Sequence, residues 1–154
     1  MNDMELRTWT KERVVFPRVG VGAVIINDQD EILLVLRNRN PEKGMWSIPG
    51  GKVDPYESLE HCVMREVQEE VNLEVEVKGL LCMAETIRPE HEEHWVSAIY
   101  EVAVKGGEAQ NMESEGAIAD LKWYSLDQLP VNLACFSIPA IEQLLNRSKG
   151  LSKC

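Results

Sequence analysis

The sequence predicts an α+β domain in which helices pack on a mixed β-sheet. Strand-like segments dominate the chain, and only two segments, one central and one at the end, show helical periodicity. The length of 154 residues and the hydrophobic fraction of 44% suit one compact hydrophobic core. We therefore expect a single domain over residues 1–154, with its core at about residues 17–146.

Strand-like segments rich in β-branched and aromatic residues recur along the whole chain. In chain order they are 18–28, 31–37, 45–49, 73–87, 94–104 and 118–126. The segment 73–87 first alternates and then becomes continuously apolar, so it predicts one strand or two. Asn, Asp, Pro and Gly predict a turn at 27–30 and a loop at 38–44, and residues 105–116 predict a mobile acidic loop.

The two helical segments differ in character. The central one, about residues 58–71, places five apolar residues on one stripe: Leu59, Cys62, Val63, Val67 and Val71. The second follows Ser137 and repeats apolar residues at Ile138, Ile141, Leu144 and Leu145. Each stripe predicts a helix that packs one face on the sheet.

The acidic balance of the chain limits its partners. A formal net charge of −10 argues against nonspecific binding of duplex nucleic acid, which requires a basic surface. A small phosphorylated ligand remains compatible with this charge, because a bound metal ion supplies local positive charge.

The cysteines and the hydropathy pattern indicate a cytoplasmic protein without a membrane span. The four cysteines form no C-x-x-C pair, so a thiolate zinc site is not expected. We expect the cysteines to be reduced thiols. Charged residues interrupt the early sequence, so no signal peptide is predicted. No stretch reaches the roughly 20 apolar residues of a transmembrane helix.

The central helix carries acids where apolar residues are expected. Glu70 projects near the centre of the apolar stripe, Glu66 lies just inside it, and Glu69 lies at its edge. Their i, i+3 and i+4 spacing predicts that the carboxylates converge. Because inward carboxylates are costly without a cation, the pattern predicts bound Mg²⁺ or Mn²⁺. The alternative is a solvated acidic helix, which the preceding glycines and Glu57 disfavour.

The segment from Gly51 to Leu73 resembles the signature of the Nudix hydrolases, G-x5-E-x7-R-E-U-x-E-E-x-G-U, where U is aliphatic. Gly51, Glu57, the Arg65-Glu66 pair and the Glu69-Glu70 pair all fit its spacing. Asn72 is the one departure, since the family has glycine there; asparagine also tolerates the left-handed conformation that ends a helix. The flanking segments GMWSIPGG and LKWYSLDQLP resemble MutT-like members, which implies an α/β/α sandwich around a mixed sheet.

The resemblance implies a role for each residue of the signature. Glu69 and Glu70 would bind the metal together with the backbone of Gly50, and Glu66 would be a further ligand or the general base. Arg65 would orient the glutamates by an ion pair, and Glu57 and Gly51 would support the cluster. Family members often add one acid from a downstream loop, for which Glu113 and Glu115 are candidates, although a solvated loop charge is the preferred interpretation of both.

The resemblance implies hydrolysis of a nucleoside diphosphate linked to another group, and it leaves the nucleotide open. MutT-like similarity favours a nucleoside triphosphate, oxidised or not, cleaved to the monophosphate and pyrophosphate. ADP-ribose is the alternative, because Pro89 lies where ADP-ribose-cleaving relatives often have proline. A noncatalytic nucleotide-binding module is the alternative of another class.

Two residues outside the signature are candidate substrate contacts. Arg37, at the end of a strand close to the signature, is a candidate phosphate ligand, and Phe136 is a candidate base contact. A solvated arginine and a core aromatic are the corresponding structural alternatives. A homodimer is compatible with the resemblance, since many relatives form dimers.

Overall fold

A computed structural model describes residues 15–151 as seven strands, two α-helices and two short 3₁₀ turns. The strands are β1 (Arg18–Ile25), β2 (Glu31–Arg37), β3 (Trp46–Ser47), β4 (Gly50–Lys52), β5 (Leu73–Arg88), β6 (Glu93–Gly107) and β7 (Ile118–Ser125). The helices are α1 (Leu59–Val71) and α2 (Ile138–Leu151), and the 3₁₀ turns are Pro89–His91 and Cys135–Ser137.

The strands form two sheets. The four-stranded sheet has the order β4-β1-β6-β5, in which β1 and β6 are parallel and the outer pairs are antiparallel. The three-stranded sheet has the order β3-β2-β7 and is antiparallel. The predicted mixed sheet is confirmed, and β2, β3 and β7 stand apart from it as a sheet of their own.

Both faces of the central strands are buried, which explains their continuous apolar sequence. In β2, Leu33 and Val35 belong to the core under α1, whereas Ile32 and Leu34 belong to the core under α2. Because successive side chains of a strand point to opposite faces, one strand serves both cores. The predicted α+β sandwich, with one helix on each side, is therefore confirmed.

Both ends of α1 lie where the sequence predicts them. The side chain of Ser58 caps the helix by accepting a hydrogen bond from the backbone N–H of His61. Asn72 ends it in the left-handed conformation, with φ 62° and ψ 31°. Four residues of the predicted apolar stripe, from Cys62 to Val71, are fully buried, and Leu59 is partly buried.

Several strand boundaries differ from the prediction. Residues 73–88 form one strand with bulges, and β6 continues to Gly107, so residues 105–107 are not part of the predicted loop. The two strands extend together because Leu73 pairs with Gly107 at one end and Arg88 pairs with Glu93 at the other. The predicted segments 18–28 and 45–49 are shorter as strands, ending at Ile25 and covering only Trp46–Ser47.

Within residues 15–151, neither helix has the length and apolar composition needed to cross a membrane.

Candidate active site

A cavity of about 380 Å³ opens between the four-stranded sheet, α1 and the 3₁₀ turn before α2. At one end it is lined by Gly50, Gly51, Glu66 and Glu70. Because β4 and β5 are opposite edges of the sheet, the lining residues of β5 lie about 14 Å from this end at the usual strand spacing. The cavity thus spans the width of the sheet.

The glycine turn and the acids of α1 are in direct contact. The N–H of Gly50 donates a hydrogen bond to Glu70 Oε2 at 3.1 Å. A Cβ atom on Gly51 would lie 2.2 Å from Cδ of Glu66, so only glycine leaves room for that carboxylate. The turn and the helix therefore fix each other's position at the floor of the cavity.

Arg65 organises the acids on the outer side of this floor. It binds both oxygens of Glu57, at 2.7 and 2.8 Å, and its Nη1 donates to Glu66 Oε1 at 3.0 Å and to Glu69 Oε2 at 3.1 Å. Its Nη2 also lies near the backbone oxygen of Lys52. The arginine thus pairs with three carboxylates, which are the contacts through which the family resemblance implies that it orients the glutamates.

The pKa values of these acids divide them into two groups. Hydrogen bonds from Arg65 hold the pKa of Glu57 far below its usual range. Burial raises the pKa of Glu66 despite the nearby charge of Arg65. Burial, with the charges of Glu66 and Glu113, raises the pKa of Glu70 to about 8 even though Gly50 donates to it. Of the acids of this cluster, Glu66 and Glu70 line the cavity, and these two lack sufficient positive charge around them.

This deficit of positive charge fits a divalent cation. Glu66, Glu70 and Glu113 supply hard carboxylate oxygens at the same cavity wall. Their arrangement does not yet form a cage, because no three His, Cys, Asp or Glu side chains within residues 15–151 are placed to hold a metal ion together. The predicted convergence is observed in part: Glu66 and Glu69 meet at Nη1 of Arg65, whereas Glu70 accepts from the N–H of Gly50. The side chain of Glu69 is 58% exposed.

The two downstream candidate acids differ in position. Glu113 lines the cavity, and its charge acts on Glu70. Glu115 pairs with Arg39 at 3.3 Å, and its side chain is 81% exposed. The geometry favours Glu113 as the additional acid, a distinction that depends on loop conformation and therefore has no local sequence signal.

Arg37 and Phe136, the candidate substrate contacts, both line the cavity. Both Nε and Nη2 of Arg37 donate to the backbone oxygen of Pro41, and the arginine's charge offsets part of the rise in the pKa of Glu70 that burial causes. The ring of Phe136 covers Gly22, where a Cβ would lie 2.6 Å from it. Both residues are partly exposed, so neither is a fully buried core side chain.

Sequence reasoning missed the charged far end of the cavity. Arg88 from β5, Glu93 from β6 and Glu42 from the loop after β2 line it, together with Thr86, Trp95 and Ser97. By composition alone, residues 88–94 predict an ordinary polar hairpin loop, and Trp95, in a predicted strand, predicts a residue that packs the sheet. Since Glu42 is distant in sequence, only the folded chain brings these groups together.

The comparisons with known proteins agree with this architecture. Residues 16–144 match the NUDIX domain family. A crystal structure of a MutT NUDIX hydrolase from Burkholderia pseudomallei is similar, with 41% sequence identity and a TM-score of 0.79, covering 84% of this chain and 98% of that one.

Two proteins are similar in sequence. An ADP-ribose pyrophosphatase of Methanocaldococcus jannaschii is 33% identical over 114 residues, which cover 74% of this chain and 65% of the relative. A Bacillus subtilis protein provisionally named an 8-oxo-dGTP diphosphatase is 30% identical over 131 residues, covering 85% of this chain and 79% of the relative. The chain thus spans about two thirds to four fifths of these relatives.

Proposed function

Because the chain belongs to the Nudix family, we propose that it is a divalent-metal-dependent pyrophosphohydrolase that cleaves a nucleoside triphosphate to the monophosphate and pyrophosphate. The observation that carries this proposal is the contact between the glycine turn and α1. There Glu66 and Glu70 face the cavity with more negative charge than their surroundings compensate.

Bound Mg²⁺ or Mn²⁺ would neutralise phosphate charge and activate a water for attack. Glu66, Glu70 and Glu113 would hold this ion, with the backbone carbonyl oxygen of Gly50 as a further ligand. Glu69 would join them once its carboxylate is released from Arg65. These oxygens suit Mg²⁺, which typically takes one or two carboxylates together with substrate phosphates.

The remaining residues of the floor position the reactants. Arg65 keeps Glu66 in place. If Glu66 does not bind the metal, it is the general base that accepts a proton from the attacking water. Gly51 has no side chain, so the carboxylate of Glu66 can lie directly against the turn. Arg37 lines the same wall, where its guanidinium can bind a phosphate oxygen.

Similarity to the Burkholderia MutT structure and the Bacillus relative favours a nucleoside triphosphate, including an oxidised purine nucleotide. ADP-ribose is the second candidate substrate. It is supported by the name of the Methanocaldococcus relative and by Pro89, which follows the cavity residue Arg88 directly.

The test is a phosphate-release panel with Mg²⁺ over the nucleoside triphosphates, 8-oxo-dGTP, ADP-ribose, dinucleoside polyphosphates and nucleotide sugars. We expect pyrophosphate release from a triphosphate, and its loss in Glu66→Gln and Glu70→Gln. Glu60→Gln is the matched control, because Glu60 lies on the exposed face of the same helix. Faster release of AMP from ADP-ribose would select the second substrate, and nucleotide binding without any turnover would identify a binding module.

A further inference from the structure

Three charged side chains form a partly buried cluster at the β5 end of the cavity. Arg88 Nη1 donates to Glu93 Oε2 at 2.8 Å, and Nη2 lies 2.7 Å from Glu42 Oε1. The side chains of Arg88, Glu42 and Glu93 are only 15%, 16% and 20% exposed. Desolvating three charges opposes folding, and apolar residues of similar volume often serve stability equally well. Because stability does not require such a cluster, its position in the cavity suggests that it binds a ligand.

The cluster retains hydrogen-bonding capacity. Although Arg88 Nη2 is buried and close to Glu42, the contact lacks hydrogen-bond geometry, and Nη2 has no hydrogen-bond partner among the described residues. Glu42 Oε1 accepts from the backbone N–H of Cys135 at 2.9 Å. Among the hydrogen bonds of residues 15–149, none uses the second oxygen of Glu42 or of Glu93. Arg88 thus has one buried donor without a hydrogen bond, and beside it Glu42 and Glu93 each have an oxygen outside the hydrogen bonds of residues 15–149.

Glu42 is an ionised acceptor at neutral pH. Burial alone would raise its pKa, but the hydrogen bond from Cys135 and the charge of Arg88 together lower the pKa below the usual value. Its orientation is also fixed from two sides, since Cys135 and Arg88 belong to different parts of the chain.

The position of the cluster suits the part of a nucleotide that is remote from the phosphates. Arg88 is on β5 and Gly50 is on β4, the opposite edge of the sheet. Phe136 covers Gly22 on β1, between those edges, and offers a ring against which a base can stack. A nucleotide with its phosphates at Glu66 and Glu70 would direct its base toward Arg88.

We propose that Arg88, Glu42 and Glu93 determine base specificity by binding the Watson–Crick edge of guanine, with or without oxidation at C8. This inference rests on the proposed function. Guanine presents one carbonyl oxygen beside two N–H donor groups, which matches one guanidinium beside two carboxylates. Uracil presents the reverse, one N–H between two carbonyl oxygens, and its carbonyls would face the carboxylates without donors.

The kinetic test compares dGTP with dUTP at saturating Mg²⁺ in the full-length protein. We expect kcat/KM to favour dGTP, and the preference to fall about tenfold or more in Arg88→Met, as for loss of a good base contact. Arg147→Met is the matched control, since Arg147 pairs with Glu101 on the surface, outside the cavity, and the preference should persist there. Equal losses for both substrates in Arg88→Met would show that the cluster only supports the fold, and would overturn the proposal.

Glu93→Gln provides a second variant that preserves side-chain shape if Arg88→Met fails to fold. We expect it to fold and to lose preference for dGTP; an unchanged dGTP/dUTP ratio in folded Glu93→Gln would contradict base reading.

A binding experiment separates this inference from the hydrolytic function. Calorimetric titration with GMP and UMP in the absence of metal measures base recognition without turnover. We expect tighter binding of GMP, reduced in Glu93→Gln. Triphosphate turnover with equal binding of GMP and UMP would refute base reading and leave the hydrolase proposal standing. Selective GMP binding without turnover would support base recognition and contradict the hydrolase proposal.

Discussion

The guanidinium of Arg65 binds both carboxylate oxygens of Glu57, with Nε 2.7 Å from Oε2 and Nη2 2.8 Å from Oε1. Glu57 precedes α1 and Arg65 lies in its second turn, so the pair joins the glycine-rich segment to the helix that carries the acids proposed to bind metal. Two parallel hydrogen bonds of this kind fix orientation as well as distance.

Acidification should remove the stability that Glu57 contributes. Arg65 lowers the pKa of Glu57 in the folded protein, so the folded state binds the proton more weakly than the unfolded chain does. The contribution is complete above the unfolded pKa of 4.5 and is lost as the pH falls toward the folded value. Urea unfolding at pH 7 and pH 3.5 should show a smaller drop in unfolding free energy for Glu57→Gln than for the wild type. An equal drop would mean that the pair contributes nothing.

Gly51→Ala should reduce kcat strongly, because its Cβ would lie 2.2 Å from Cδ of Glu66 and displace that carboxylate. Misplacing a catalytic group by about 1 Å can cost roughly 100-fold in rate. Gly79→Ala is the control, since a Cβ there meets nothing within 4 Å and its φ is not positive. Steady-state assays of both variants at saturating substrate measure the difference, and similar kcat values would argue against close packing at Gly51.

Asn72→Gly should leave stability nearly unchanged, whereas Asn72→Ala should lower it by about 1 kcal/mol, the order of the cost of a left-handed alanine. Asn72 has φ 62° at the end of α1, and its side chain donates to the backbone oxygen of Glu108 at 3.1 Å. Glycine relieves the backbone and loses that hydrogen bond, so the two effects offset. Thermal unfolding of the three proteins checks this, and equal destabilisation by glycine and alanine would show that the side-chain bond dominates.

The central helix is the element that the sequence predicts best, because its determinants are local. Ser58 caps it, a 3.6-residue period defines its buried stripe, and Asn72 ends it. The inward position of Glu66 and Glu70 follows from the same period, and both line the cavity.

Features that depend on distant partners are not predictable in the same way. Residues 105–107 suggested a loop, yet they belong to a strand because β5 pairs with them. Arg88 begins a segment with the composition of a polar hairpin loop, yet its side chain is partly buried because Glu42, from a distant loop, pairs with it. The orientation of Glu69 was also missed, since its spacing predicts convergence with Glu70 while Arg65 competes for its carboxylate.

The account depends most on whether the acids under the glycine turn bind a divalent cation. Titration of the protein with Mn²⁺, followed by electron paramagnetic resonance of the free ion, measures this directly. We predict that Glu70→Gln and Glu66→Gln each weaken Mn²⁺ binding by at least about tenfold, while Glu60→Gln binds as the wild type does. Equal Mn²⁺ affinity in all four proteins, or no binding by the wild type, would contradict a metal site at this turn.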